Sequence, residues 1–181
     1  MLFTAHDVVL AQAAVHFAAS TRYCDQAKLM SLLYLFDVGH YRQTGRSATN
    51  AVYMAQLKGP FNPVLAVQLR SPSGPLASFV QPDPAAPSGV AAPILLPQRH
   101  FSHIDLTPRH MELLSTLSAQ YADHTAAEIS QEVFAKSSAW RTLLANGADT
   151  PIDYAIAVRE RFKYAALVHG ATLPAAAAAG H

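Results

Sequence analysis

The stretch KLMSLLYLFDVGHYRQTGRS, residues 28–47, constrains the fold more than any other. Leu29, Leu32, Phe36 and His40 recur at helical spacing, and Met30, Leu33, Tyr34, Val38 and Tyr41 form a second apolar side. A helix apolar on two sides must lie between other elements, since one neighbour covers only one stripe. Asp25 is placed to cap its start. Gly45 is placed to end it, because glycine adopts the left-handed cap conformation without a steric penalty. The helix also carries Asp37, His40 and Tyr41. A carboxylate inside such a helix needs hydrogen-bonding partners.

The remaining elements are read around this helix. Thr4 and the spacing of Val8, Ala11, Val15 and Ala18 predict a first helix over 5–20. Val52, Met54 and Gln56 alternate with Tyr53, Ala55 and Leu57, which predicts a short strand. Lys58-Gly59-Pro60 then turns the chain, and Asn62-Pro63 opens a short helix to about Leu69. Seven of the twelve prolines lie between Pro72 and Pro97. Proline removes backbone donors, so 71–97 reads as a long, mobile loop with strand candidates at 76–80 and 94–96.

The second half reads as helical. Thr107-Pro108 opens a helix with Met111, Leu114, Leu117 and Tyr121 on one face. Thr125 and Glu128 form a capping box. A short helix from Ser137 or Ser138 carries Trp140, Leu143 and Leu144, and Asn146-Gly147 closes it. Thr150-Pro151 opens a last helix that ends near Gly170, and the alanine-rich residues 171–181 read as a disordered tail. The expectation is one domain over 1–170, mostly α with a small antiparallel β-sheet; alternating strand–helix units, the mark of a parallel sheet, are missing.

Composition narrows the function. The formal net charge is +1, from 13 basic and 12 acidic side chains, with no basic stripe. That argues against a nucleic-acid partner. No apolar run approaches the roughly 20 residues that span a bilayer. The start of the chain lacks a basic leader region and reads as a helix rather than a signal peptide. Cys24 stands alone, which suits a reducing cytoplasm and leaves no partner for an internal disulfide. Phosphate-binding glycine loops and a GxSxG nucleophile turn are absent, and no cofactor is expected.

His100 and His103 lie three apart outside any predicted helix, a spacing better suited to solvated or capping histidines than to metal ligands. Cys24 reads as an apolar filler and Trp140 as a core residue more readily than an interface anchor. Asp37 and His40, three apart, share a helix face. They are either the acid–base set of a hydrolase or a polar joint, in which Asp37 accepts hydrogen bonds from a loop and His40 packs beside it. The joint is favoured, because no nucleophile or cofactor motif accompanies them.

The order of motifs resembles the Panacea domain, also called the Soc-antitoxin-like domain, of bacterial and phage-associated proteins. Lys28, Leu29, Leu32, Leu33, Tyr34, His40, Thr44, Gly45 and Arg46 stand where that family carries K-L-x-K-L-L-Y, a histidine and T-G-R. Tyr53, Ala55, Gly59 and Pro60 match its aromatic-rich strand and G-P-V turn. The resemblance resumes at FSHIDLTPRHMELLSTLSAQYADHTAAEIS and SAWRTLLANGADTPIDYAIAV, and covers most of 5–165. The chain departs at Leu57 or Lys58, where the family has an aromatic, at Phe61 in the third turn position, and at 134–138, where a histidine often stands.

The resemblance implies an antitoxin module that neutralises a cognate toxin, generally the product of a neighbouring gene, by binding it directly. One branch of the family implies an alternative, an adaptor that delivers its toxin to an ATP-dependent protease; a phage-associated regulator of a host factor is a related reading. On this view Asp37, His40 and Tyr41 brace the central helix against the 44–50 turn and the Gly59-Pro60 turn. The expected partner surface is the 53–61 strand and turn, with Tyr53, Lys58, Gly59, Pro60 and Phe61, joined by Arg46 and Arg141. Tyrosine and arginine commonly anchor interfaces.

Overall fold

The structure, a computed structural model, describes residues 4–71, 74–86, 92–135, 138–145, 147 and 150–155. Helix α1 (Ala5–Ser20) starts in a capping box, in which Thr4 Oγ1 accepts from Asp7 N–H and the Asp7 carboxylate accepts from Thr4 N–H. Ala11, Ala13 and Ala14 are buried on it, and such small side chains let a neighbouring helix come close. Helix α2 (Gln26–Thr44) starts at Asp25, whose carboxylate accepts from Lys28 N–H at 2.8 Å, and ends at Gly45 with φ +72°. Every residue from Lys28 to Gly39 is buried. The two-sided pattern is thus satisfied: α2 packs against α1, two later helices and a strand.

A hairpin follows, β1 (Met54–Gln56) and β2 (Gly59–Phe61), then α3 (Pro63–Arg70) with Asn62 as its cap. Further on come β3 (Val80–Pro82), β4 (Leu95–Pro97), α4 (Pro108–Gln120) and α5 (Ala126–Ile129). A π turn over Ser130–Phe134 extends α5, and α6 (Ser138–Ala145) and β5 (Thr150–Pro151) complete the described elements. The fold is mostly helical, with an antiparallel sheet in the order β2-β1-β5 and a separate antiparallel pair, β3-β4. Tyr34 is the centre of the aromatic core, with Tyr53, Phe134 and Trp140 at ring distances of 5.5, 5.8 and 5.9 Å.

Two expectations need correction. The described part of 71–97 is organised: Pro75–Ser78 is a 3-10 turn, and β3 and β4 pair as Val80↔Pro97, Gln81↔Leu96 and Pro82↔Leu95. Pro82 and Pro97 sit at strand ends, where the missing donor is tolerated. Leu95 N–H donates to Cys24 O at 2.8 Å and ties this hairpin to the start of α2. Likewise Thr150-Pro151 begins no helix. It pairs with the free edge of β1, and Ile152 N–H donates to Tyr53 O at 2.8 Å. Helix resumes only at Tyr154, where Asp153 Oδ1 accepts from Ala155 N–H. The rest of the expected last helix and the 171–181 tail lie outside the described residues.

Lys28 is completely buried. Its ammonium donates to Arg22 O at 2.6 Å, Tyr121 O at 2.9 Å and Ala122 O at 3.3 Å. These carbonyls belong to the α1–α2 connection and to the end of α4, where the helix dipole favours a cation. One side chain therefore joins three segments. Burial pushes its pKa below the usual lysine range, and the carbonyls supply the compensation that a buried ammonium requires.

Candidate functional site

The end of α2 and the irregular residues 45–52 form the most polar joint in the fold. Asp37 is fully buried, and its carboxylate accepts from Thr49 N–H at 2.8 Å and from the Thr49 hydroxyl. The Tyr154 hydroxyl stands 3.3 Å from Asp37 Oδ2 and donates to Ala51 O at 2.8 Å. His40 Nδ1 bonds to Arg46 O at 2.8 Å, and His6 Nδ1 bonds to Ala48 O at 2.9 Å. A carbonyl can only accept, so each imidazole carries a proton on Nδ1. Thr44 Oγ1 accepts from Arg46 N–H at 3.1 Å. Side chains from α1, α2 and residue 154 thus hold this turn at Arg46, Ala48, Thr49 and Ala51.

Asp37 and His40 share a helix side but take separate partners in the same turn. The loop-accepting role expected of Asp37 is present, with Thr49 as the donor. Tyr41 has a different role: its ring stacks on Tyr154 at 5.7 Å and 20°. The Gly59-Pro60 turn is not braced by this trio. Gly59 packs on α2 and the π turn, where a Cβ would meet Phe134 at 3.3 Å and Ser31 Oγ at 3.5 Å. Beside the joint lies a concavity of about 450 Å³, lined in part by Tyr41, Arg46, Asn50, Val52, Ile152 and Tyr154.

The expected partner surface divides. Arg46, Lys58 and Arg141 are exposed, and Phe61 is half-buried. Tyr53, Gly59 and Pro60 are buried. These three cannot meet a partner, because β2 lies against α2 and Tyr53 fills the aromatic core. Arg46 borders the concavity, whereas Arg141 follows Trp140 on α6, whose indole N–H donates to Gln56 O at 3.1 Å. Leu57, inside the expected 53–61 stretch, is 86% exposed at the hairpin tip, whereas Val64 and Val67 on α3, 64% and 69% exposed, went unread in the sequence. Their signal was a three-residue spacing on the outer side of a short helix.

Cys24 is buried, and burial pushes its thiol up to about 11. That is the wrong direction for a nucleophile. His100 and His103 are exposed, and no group of three or more metal-ligating side chains is assembled among the described residues. No helix among them is long and apolar enough to cross a membrane.

Asp37 makes stability depend on pH. Burial raises its pKa from 3.8 to about 6 despite the Thr49 bonds. The folded state therefore holds the proton more tightly than the unfolded state. This contribution is full below about pH 4 and is lost as pH rises through 6. His110 acts oppositely in the same window: burial lowers its pKa from 6.5 to about 4, with His40, 4.9 Å away, adding repulsion. In Asp37→Asn the first contribution is gone and the second remains. Relative to the native chain, the variant should gain about 3 kcal/mol between pH 4 and pH 7, at 1.36 kcal/mol per unit. Urea unfolding at four pH values measures this. Parallel curves for the two proteins would mean that Asp37 stays ionised throughout.

No family model, curated protein or solved structure matches this chain.

Proposed function

We propose that this chain is a protein-binding module of the antitoxin type, which neutralises a cognate toxin by direct contact. The observation that carries the reading is the exposure of Leu57, Val64 and Val67 beside the 53–61 hairpin. Val64 and Val67, three apart, share the outer face of α3. Four of the eight large apolar side chains exposed among the described residues lie within 52–67, and exposed apolar groups that join into one patch mark protein contact. The motif order of residues 28–60 supports the antitoxin assignment through its resemblance to the Panacea domain. Lys58 and Phe61 lie in the same stretch and complete the contact surface.

A hydrolase built on Asp37 and His40 is disfavoured. Asp37 is sealed from solvent, and both its oxygens are engaged by the 45–52 turn and Tyr154. A general base must reach the proton it takes, directly or through one water.

Co-expression with the product of the neighbouring gene tests the proposal. If that product arrests growth, the native chain should restore it and co-purify at near-equal amounts. Leu57→Asp combined with Val64→Asp should abolish rescue while leaving the melting temperature within about 2 °C, since surface changes usually stay within ±0.5 kcal/mol. Rescue by the double variant would move the interface elsewhere, and failure of the native chain to rescue would remove the antitoxin reading. Recovery of an ATP-dependent protease in the complex would favour the adaptor.

A further inference from the structure

We propose that the concavity beside residues 45–52 is a binding site for a monocarboxylate with an apolar body. The inference does not rest on the antitoxin reading. At about 450 Å³, the space falls within the range of small-ligand pockets. Its wall is irregular backbone, yet that backbone is pinned: Arg46 O by His40, Arg46 N–H by Thr44, Ala48 O by His6, Thr49 N–H by Asp37 and Ala51 O by Tyr154. Asn50 is held at φ +55° between them. Such left-handed positions persist only where the surroundings fix them, and they cluster at binding sites.

Three side chains of this turn, those of Arg46, Ser47 and Asn50, bond to none of the described residues. Arg46, Ser47 and Asn50, which carry a guanidinium, a hydroxyl and an amide, all line the concavity. The ion pairs among the described residues are Arg22–Asp123 and His124–Glu132, and neither involves Arg46. An arginine is charged at every relevant pH, and its planar fork matches a carboxylate. The lining also holds an apolar set: Tyr41 and Tyr154, whose rings stack on each other, with Val52 and Ile152. Asp153 lines the space too, so a dianion would meet a carboxylate as well as a single guanidinium. A single negative charge on an apolar body fits this lining.

Two sources carry this chemistry, a free aromatic or branched acid and the last residue of a polypeptide. Titrating the ¹⁵N-labelled full chain with hydrocinnamate and with N-acetyl-alanyl-phenylalanine separates them, with the amide of each as control. Either acid should shift the backbone amides of residues 46–52, and its amide should not. Binding of both acids assigns a site open to free acids; binding of the dipeptide alone assigns a chain terminus. Arg46→Gln should weaken binding at least about tenfold, or 1.4 kcal/mol, with the melting temperature unchanged because the residue is exposed. The proposal is overturned if neither acid shifts these resonances at millimolar concentration, if the amides bind equally well, or if Arg46→Gln binds as the native chain does.

Discussion

Trp140→Ala is expected to lower stability by about 4 kcal/mol, within the range for large aromatic truncations in cores. The indole is 2% exposed and packs on Phe134 at 4.5 Å and on Tyr34 at 5.9 Å. Its N–H donates to Gln56 O at 3.1 Å, which fastens α6 to β1. The substitution opens a cavity and removes that donor together. Trp140→Phe keeps one ring, loses the donor and leaves a smaller gap than alanine does, so it should cost less, with about 1 kcal/mol of that cost from the hydrogen bond. Urea unfolding of both variants measures this. An alanine variant within 1 kcal/mol of the native chain would mean that α6 contributes little to the folded core.

Lys28→Ala should have a comparable effect, also about 4 kcal/mol. Hydrogen bonds to a charged donor contribute about 1.5–3 kcal/mol each, partly offset here by the burial of the ammonium. Removing the side chain takes three such bonds from Arg22, Tyr121 and Ala122 and leaves the space of its buried stem. Arg22 O loses its only donor among the described residues, whereas Ala122 O keeps Arg22 N–H and Tyr121 O keeps His124 N–H. Lys28→Met retains the stem and loses the bonds, so it should fall about halfway between. Equal stability of the methionine variant and the native chain would show that the ammonium's desolvation cancels its hydrogen bonds. An exposed control, Lys58→Met, should change stability by less than about 0.5 kcal/mol.

What could be read in advance follows from the range of the interactions involved. Thr4, Asp25, Asn62, Thr107 and Thr125 cap helices through bonds to residues three positions on, and such signals are local in sequence. The buried run in α2 announced itself by apolar residues on two sides, and Asp37 by being a carboxylate among them. Lys28 gave no comparable sign. A lysine in the first turn of a helix looks like a surface residue, and its partners are backbone carbonyls, which any residue supplies. Thr150-Pro151 failed as a helix start for a related reason. The pair has the local chemistry of a cap, but the edge of β1, almost a hundred residues earlier, captures it first.

Tyr53, Gly59 and Pro60 were misplaced on the surface because a three-residue strand is too short for its alternation to reveal which side faces in. The turn at 45–52 was legible as a stop for α2 and as the loop that Asp37 and His40 hold, and no further. Its shape depends on His6 and Tyr154, and neither lies near it in the chain.

That separation bears on when the surface comes into being during synthesis. The bonds from His6, Asp37, His40 and Thr44 can form as soon as the turn emerges, whereas Ala51 O waits until residue 154 has been made and has folded back past β1. Long-range closures of this kind come late in folding. A chain ended before residue 154 would keep the bonds on Arg46, Ala48 and Thr49 and lack the Tyr154 side of the concavity. Whatever binds in the concavity therefore needs a chain that has reached Tyr154.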